Sequence, residues 1–178
     1  MKFSEMPYVR PDAEALKKEL TALTERLKNA ATYEEAREAF LEEQKVSRSM
    51  ETQATLASVR HSIDTRDAFY DGEEKFWNNV GPELEEYQQA WKAAMLDSRF
   101  RREFTAEYGD LMFLNAEIAR KCFTPEIIPE MQQENDLVQE YEKLLASAQI
   151  PFEGKTYTLS QLTPLKSDPD DARRLAAW

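Results

Sequence analysis

The amino-acid sequence predicts a mainly α-helical protein, a multi-helix array with one small β-hairpin near residues 150–159. Apolar residues recur at intervals of three and four along most of the chain, and helix-starting residues precede these stripes. Hydrophobic residues make up 42% of the 178 residues and aromatic residues 11%, which is too many for a disordered chain. We therefore expect residues 1–178 to form a single folded helical segment.

The first third of the chain is predicted to form long helices. Pro11-Asp12 begins the first helix. Its apolar stripe, at spacings of four, three and four, consists of Leu16, Leu20, Leu23 and Leu27. Thr32 and Glu35 form a capping-box sequence, in which each side chain would bind a free backbone N–H group. Helical composition then continues, with a kink expected at Gly72, until Gly81-Pro82 ends the helix.

Four further helices are expected after the helix end at Gly81-Pro82. The first carries an apolar stripe of Leu84, Tyr87, Trp91, Ala94 and Met95. A shorter helix with Phe100 and Phe104 should stop at Gly109, because glycine is the preferred residue after a helix end. The stripe of the next helix, which begins at Asp110, consists of Leu111, Leu114, Ile118 and Cys122. Thr124-Pro125 then begins a helix that should reach Gln149, with proline at its first position.

The periodicity changes after this helix. The segment from Ile150 to Leu159 reads as two short strands joined by a tight turn at Glu153-Gly154. Because an isolated hairpin is marginally stable in water, we expect it to pack against other elements. Asp168-Pro169 is predicted to begin a last helix, which shows no stop signal before Trp178. We expect the parent reading frame to continue with more helical sequence.

Composition also bears on partners and location. The chain has 34 acidic and 23 basic residues, giving a net charge of −11. This charge repels phosphate backbones, and acidic residues flank the densest basic cluster (Arg99, Arg101 and Arg102), so nucleic-acid binding is not expected and the cluster should be a solvated face. No apolar run reaches the roughly 20 residues that span a bilayer, and no signal-peptide pattern is present. With a single cysteine, these features favour a cytoplasmic protein without a membrane partner.

The inventory of reactive side chains is too small for a catalytic or metal site. A zinc site needs three or four ligands, but the chain has one histidine, His61, and one cysteine, Cys122. Neither an H-E-x-x-H helix nor a Glu-x-x-His pair can be written, and the four glycines form no phosphate-binding loop. A chance pairing of His61 with Cys122 is not favoured. We therefore predict no catalytic, cofactor-binding or metal-ligating residue in this chain.

The segment Met50–Tyr70 permits two interpretations. Its alanines and apolar residues form broad stripes that include His61, and Arg60 precedes Asp64 by four residues, the spacing of a helical ion pair. The simpler interpretation is a packed central helix whose polar groups are satisfied by neighbours. The alternative is a helix that presents His61 and its charges to a substrate cleft. We prefer the first. The large aromatics, such as Trp77 and Trp91, are expected in the core.

Four segments of the chain resemble a known family in the same order. They are KFSEMPYVRPD (2–12), ATLASVRHSIDTRDAFYD (54–71), TPEIIPEMQQEN (124–135) and LLASAQIPFEGKTYTLSQLTP (144–164). Each resembles the amino-terminal part of the M3-family oligoendopeptidases, which include oligoendopeptidase F and, more distantly, thimet oligopeptidase. The resemblance extends from Lys2 to Trp178, and it depends on the number and order of the segments.

The resemblance implies a zinc metallopeptidase that hydrolyses short unfolded peptides in a channel between helical walls. In that family an H-E-x-x-H helix and a later glutamate form the zinc site, and none of these residues can be placed on this chain. The chain would supply channel wall and be inactive alone. Its partner would be the catalytic remainder of the parent, which binds the zinc and the peptides. By itself the chain could self-associate through an exposed apolar face.

A second hypothesis comes from another functional class. Helical periodicity and acidic charge would equally fit a self-contained helical module that binds a protein partner along an acidic groove. The long, ordered resemblance and the helix without a stop signal favour the peptidase segment over this alternative.

Overall fold

A computed structural model describes residues 2–178. Within this range the chain forms eight α-helices and one two-stranded antiparallel sheet, which confirms the predicted fold class. The chain divides into two compact units, the first ending at Gln133 and the second comprising Glu134–Trp178. The single segment expected over residues 1–178 stays a prediction. None of the helices in the described part of the chain is long and apolar enough to cross a membrane.

Three long helices build most of the first unit. Its five complete helices are α1 (Ala13–Asn29), α2 (Tyr33–Ile63), α3 (Ala68–Leu96), α4 (Arg101–Tyr108) and α5 (Leu111–Cys122). Helices α1, α2 and α3 contact one another, and α5 packs on α3. The predicted stripe of α1 is confirmed, because Leu20, Leu23 and Leu27 are buried in the interfaces. Trp77 and Trp91 are buried as well, as predicted for the large aromatics.

Side-chain caps begin the first two helices close to where the sequence predicts. Asp12 accepts a hydrogen bond from the Ala15 backbone N–H at 3.0 Å, and Thr32 accepts one from Glu35 at 3.2 Å. Only half of the predicted capping box is correct. The Glu35 carboxylate accepts from the N–H of Ala31, at 2.6 Å, instead of from that of Thr32. The reciprocal bond thus reaches one residue further back, into the turn that joins α1 to α2.

The predicted continuous helix across residues 64–67 is wrong. Helix α2 ends at Ile63, and α3 begins at Ala68 after a short turn. Asp67 caps α3 by accepting hydrogen bonds from the backbone N–H groups of Phe69 and Tyr70. Asp64 similarly accepts from the N–H of Arg66 at 3.1 Å. Asp64 and Asp67 therefore accept hydrogen bonds from backbone N–H groups at the junction between the two helices. Short acidic side chains are suited to this role, because they reach the backbone of nearby residues.

The predicted helix end at Gly81-Pro82 is also wrong, because both residues lie inside α3. Proline in a helix interior costs about 3 kcal/mol through a lost hydrogen bond and a steric clash. Burial on both sides offsets this cost, since Trp77 before the proline and Leu84 after it belong to one buried cluster. The Gln132 side chain adds a hydrogen bond to the carbonyl of Asn79, at 2.8 Å, near the interrupted turn.

Two glycines of the first unit should respond oppositely to replacement by alanine. Gly109 follows α4, as predicted, and has φ +84° and ψ 174°, a region that is essentially restricted to glycine. We expect Gly109→Ala to lower the free energy of unfolding by about 1–3 kcal/mol. Gly72 lies in the interior of α3, where an added Cβ would meet open space. Gly72→Ala should therefore raise the free energy of unfolding by about 0.5–1 kcal/mol. Urea titration of both variants measures the two signs, and a stabilising Gly109→Ala would contradict this backbone geometry.

The second unit contains the predicted hairpin. Its elements are the greater part of α6 (Ile128–Ser147), β1 (Ile150–Phe152), β2 (Lys155–Tyr157), α7 (Leu159–Leu162) and α8 (Asp171–Ala177). Helix α6 follows a 3-10 turn with Thr124 as N-cap and Pro125 at its first position, as predicted, and ends two residues before Gln149. The strands pair Ile150 with Tyr157, and positive φ angles at Glu153 and Gly154 give the expected tight turn.

The hairpin packs against helical residues, which agrees with its marginal stability alone. Arg173 of α8 binds the Glu153 carboxylate at 2.8 Å and that of Asp168 at 2.8 Å. The predicted start of α8 at Asp168-Pro169 is two residues early. The cap is instead Asp170, which accepts from the N–H groups of Ala172 and Arg173, while Asp168 stabilises the preceding turn through the N–H of Asp170.

Candidate functional site

His61 lies in the core, as the simpler interpretation of its helix predicts, but neither ring nitrogen has a hydrogen-bond partner among the described residues, so the expectation that neighbours satisfy it is wrong. It occupies the last turn of α2 and its side chain has no exposed surface. The Nε2 atom is 3.5 Å from Oδ1 of Asp71 on α3, an electrostatic contact without hydrogen-bond geometry. Arg60 does not pair with Asp64 as predicted, because α2 ends between them and Asp64 binds Arg66 instead. A residue without exposed surface cannot contact a peptide in this structure.

The one histidine and the one cysteine of the chain lie in different environments. Cys122 is exposed at the end of α5, whereas His61 is buried at the end of α2, so the histidine could not act as a base for the thiol. Among residues 2–178, no three His, Cys, Asp or Glu side chains are grouped so that they could hold a metal ion. The donor set of this chain therefore does not fit a zinc site.

A buried carboxylate organises a polar cluster that sequence reasoning missed. Glu73 of α3 is 3% exposed, and its two oxygens bind the Arg10 guanidinium at 2.6 and 2.8 Å. The Tyr8 hydroxyl donates to Glu73 at 2.5 Å and accepts from the indole N–H of Trp77 at 3.2 Å. Each polar group of this cluster has a partner, as buried polar groups require. The residues that meet here are 63 to 69 positions apart.

These contacts shift the pKa values of the cluster. The Arg10 guanidinium lowers the pKa of Glu73 below its ordinary 4.5, burial opposes the shift, and the Tyr8 hydroxyl adds to the lowering. Burial and the neighbouring carboxylate raise the pKa of Tyr8 well above 10. Because the cluster holds Glu73 charged and Tyr8 neutral near pH 7, its role is to fix the amino-terminal segment.

A second set of contacts holds the first residues of the chain, which we call the amino-terminal strap (residues 3–10). Arg60 donates to the backbone carbonyls of Met6, at 2.6 Å, and Phe3, at 3.3 Å, and to the Tyr70 hydroxyl at 2.7 Å. Gln53 accepts a hydrogen bond from the N–H of Val9 at 2.8 Å. The strap is thus tied to α2 and α3, and Arg60 is one of the residues that hold it there.

The basic cluster is an exposed face, as predicted, because Arg99, Arg101 and Arg102 are all exposed, but two of them also make contacts within the first unit. Arg99 donates to the carbonyl of Ala30 and its guanidinium lies 4.8 Å from the centre of the Phe100 ring. Arg101 pairs with Glu117 at 2.8 Å and lies over the Phe113 ring at 4.8 Å. Arg102 is exposed. Arg99 and Arg101 therefore also join elements of the first unit.

Helix α5 carries apolar residues on two opposite faces. The inner face buries Phe113 and Ala116 in the core of the first unit. The stripe predicted from the sequence lies on the other face, where Leu111 is 63%, Leu114 53% and Ile118 52% exposed. Unlike single exposed apolar residues, which are ordinary, a contiguous exposed stripe marks a contact surface.

A further apolar surface lies on α6 within the second unit. Its exposed large residues are Leu137, Val138, Tyr141, Leu144 and Leu145. The spacing of these residues by three and four places them along one side of the helix. Each unit therefore presents an apolar helix face to its surroundings, and these faces are the most prominent candidate functional surfaces of the described residues.

The comparison with protein families matches this fold to a peptidase domain. Residues 3–123 match the family described as the Peptidase M3 N-terminal domain. The matched range begins in the amino-terminal strap and ends just after α5. It therefore includes the Glu73 cluster and both faces of α5. No curated protein sequence matches the chain.

Solved structures extend the similarity to the whole chain. A structure described as that of an oligoendopeptidase F is 37% identical in sequence, with a TM-score of 0.95, and is matched over 99% of this chain. PZ peptidase A, solved with an inhibitor, and an oligoendopeptidase F from Bacillus anthracis are each 37% identical with TM-scores of 0.94. This chain covers 31% of the first two structures and 32% of the third. It thus spans about a third of their length.

Proposed function

Because this chain belongs to the M3 peptidase family through its N-terminal domain, we propose that it is the channel-wall segment of a zinc-dependent oligopeptidase acting on short, unfolded peptides. The observation that best supports this proposal is the match to an oligoendopeptidase F structure. The match extends over 99% of this chain and 31% of that structure's chain. In this proposal the remaining two thirds of the parent polypeptide supply the zinc ligands and the catalytic glutamate. That part is the partner of the chain, and short peptides are substrates of the whole.

The reactive side chains of the segment support a structural role. His61 is buried, Cys122 is exposed, and the described carboxylates form no metal cluster. The polar contacts around Glu73 fix the strap and are fully paired, which suits a rigid wall. We therefore propose that the chain alone neither binds zinc stoichiometrically nor cleaves peptides.

The apolar helix faces support a segment that acts as part of a larger protein. In an isolated chain, apolar faces of this kind drive association. The net charge of −11 opposes such association, so the association should strengthen as salt screens the repulsion.

We also propose a cytoplasmic location for the protein.

The test compares the 178-residue chain with the product of its complete reading frame. We expect the frame to continue beyond Trp178 and to encode an H-E-x-x-H helix and a later glutamate, which together place two histidines and an acid around zinc. The longer product should hold about one zinc and cleave a fluorogenic peptide, and the 178-residue chain should do neither.

The same comparison can refute the proposal. A frame that ends at Trp178 would favour the alternative of a self-contained acidic module that binds a protein partner. A continuation without H-E-x-x-H would remove the zinc peptidase, as would peptide cleavage by the 178-residue chain itself. Zinc content is read by elemental analysis after dialysis, and it is independent of the choice of peptide.

A further inference from the structure

Helix α5 is held rigidly by its inner face. Phe113 is almost completely buried in the core cluster to which α1, α2, α3 and α4 also contribute, and Ala116 belongs to the same cluster. Arg101 of α4 reinforces this position, because it pairs with Glu117 at 2.8 Å and covers the Phe113 ring. A helix fixed in this way presents its outer face in one orientation, so little conformational entropy is lost when that face binds a partner.

The outer face has the geometry of a helix-packing seam. Its residues follow at intervals of three, four and four: Leu111, Leu114, Ile118 and Cys122. Residues at these spacings lie on one side of an α-helix, and this stripe spans about 16 Å at 1.5 Å per residue. Apolar ridges with this periodicity pack into the grooves of a second helix. Three of the four side chains are large and more than half exposed, so the rest of the first unit does not cover the seam.

We propose that the outer stripe of α5, which we call the α5 seam, is the docking site for an amphipathic helix in the catalytic remainder of the parent polypeptide. This inference rests on the proposed function and adds the contact through which the wall segment joins the rest of the protein. The matched structures are about three times as long as this chain, so a covalently linked partner is the expected source of the covering helix.

A second copy of the chain is a weaker occupant. Each copy carries a net charge of −11, and bringing two together adds electrostatic repulsion that a covalently linked partner need not carry. A linked partner is also favoured by its high effective concentration. The seam is short, so a partner that is already nearby can bind it without the entropy loss of association between free molecules.

Cys122 provides a direct probe, because it is the single cysteine of the chain and lies exposed at the end of the seam. We would measure its labelling by a maleimide in the 178-residue chain and in the complete reading-frame product, using mass spectrometry of the Cys122 peptide. Docking predicts labelling at least tenfold slower in the complete product. As a control, Lys18→Cys on the exposed side of α1 in a Cys122→Ser background shows that the reagent still reacts with the complete product.

A variant tests the seam by a second readout. Leu114→Gln with Ile118→Gln in the complete product should restore fast Cys122 labelling, while Asn115→Gln, an exposed position beside the seam, should not. Equal labelling in the two proteins would overturn the proposal. So would a dimer of the complete product, seen by sedimentation, that the Leu114→Gln/Ile118→Gln variant dissociates, because a second copy would then cover the seam. Zinc content and peptidase activity of the same preparation test the proposed function separately.

Discussion

Replacing Phe104 with alanine is expected to lower the free energy of unfolding by about 3–5 kcal/mol, among the largest effects of any single substitution here. Its side chain has no exposed surface and lies in the core that joins α1, α2, α3 and α5. Its ring packs against those of Tyr33, at 5.1 Å, and Phe40, at 5.5 Å between centres. Alanine would remove both ring contacts and leave a cavity that neighbouring helices can fill only in part.

Chemical denaturation monitored by circular dichroism measures this effect, with Leu114→Ala as the matched control. Leu114 is also a large apolar residue on a helix of the same unit, but it is mostly exposed, so its truncation should change stability little in the 178-residue chain. Phe104→Leu should fall between the two, because it keeps most of the apolar volume. Equal effects of Phe104→Ala and Leu114→Ala would show that Phe104 is not in the core.

Removing the buried carboxylate of Glu73 should be the second large effect. Glu73→Ala would leave the Tyr8 hydroxyl and the Arg10 guanidinium without their shared acceptor. Breaking a fully buried pair costs about 3–5 kcal/mol, but the Arg10 side chain is half exposed and water can solvate it. We therefore expect a loss of about 2–3 kcal/mol. Glu25→Ala, which removes an exposed pair with Lys28, is the control and should have almost no effect.

The dependence of stability on pH gives an independent readout of this pair. The folded pKa of Glu73 lies below its ordinary 4.5, mainly because of Arg10. A depressed pKa means that the stabilisation is complete above the unfolded pKa and is lost as pH falls through the folded pKa. The wild-type chain should therefore lose stability below about pH 4.5 more steeply than Glu73→Gln. Parallel pH profiles for the two proteins would contradict the charge pairing of Glu73 with Arg10.

Local sequence signals correctly predicted those features of the fold that are determined by residues close together in the chain. The α1 stripe, the Asp12 and Thr32 caps, the helix end at Gly109 and the turn at Glu153-Gly154 all occur where expected. Each depends on side chains or backbone angles within a few residues, so a short window of sequence contains the determining physics. The same holds for the scarcity of metal ligands, which is a matter of composition.

Breaks and continuations in the long helices depended on more than local preference. The Asp64–Asp67 turn was missed because neither glycine nor proline marks it, although Asp67 two residues before Phe69 is a cap signal that could have been found. Pro82 was predicted to end a helix because its local cost is high. Burial of Trp77 and Leu84 in one cluster outweighed that cost, and such burial follows only from the packing of α3 against α1 and α2.

The polar cluster and the role of the α5 stripe were decided by tertiary structure alone. Arg10 and Glu73 are 63 residues apart, so no periodicity predicts that they meet. In α5 the sequence by itself determined that Leu111, Leu114 and Ile118 share one face, since helical geometry requires it. It did not determine whether that face points inward. The core instead takes Phe113 and Ala116, because α3 and α4 approach α5 from that side, and the predicted stripe remains exposed.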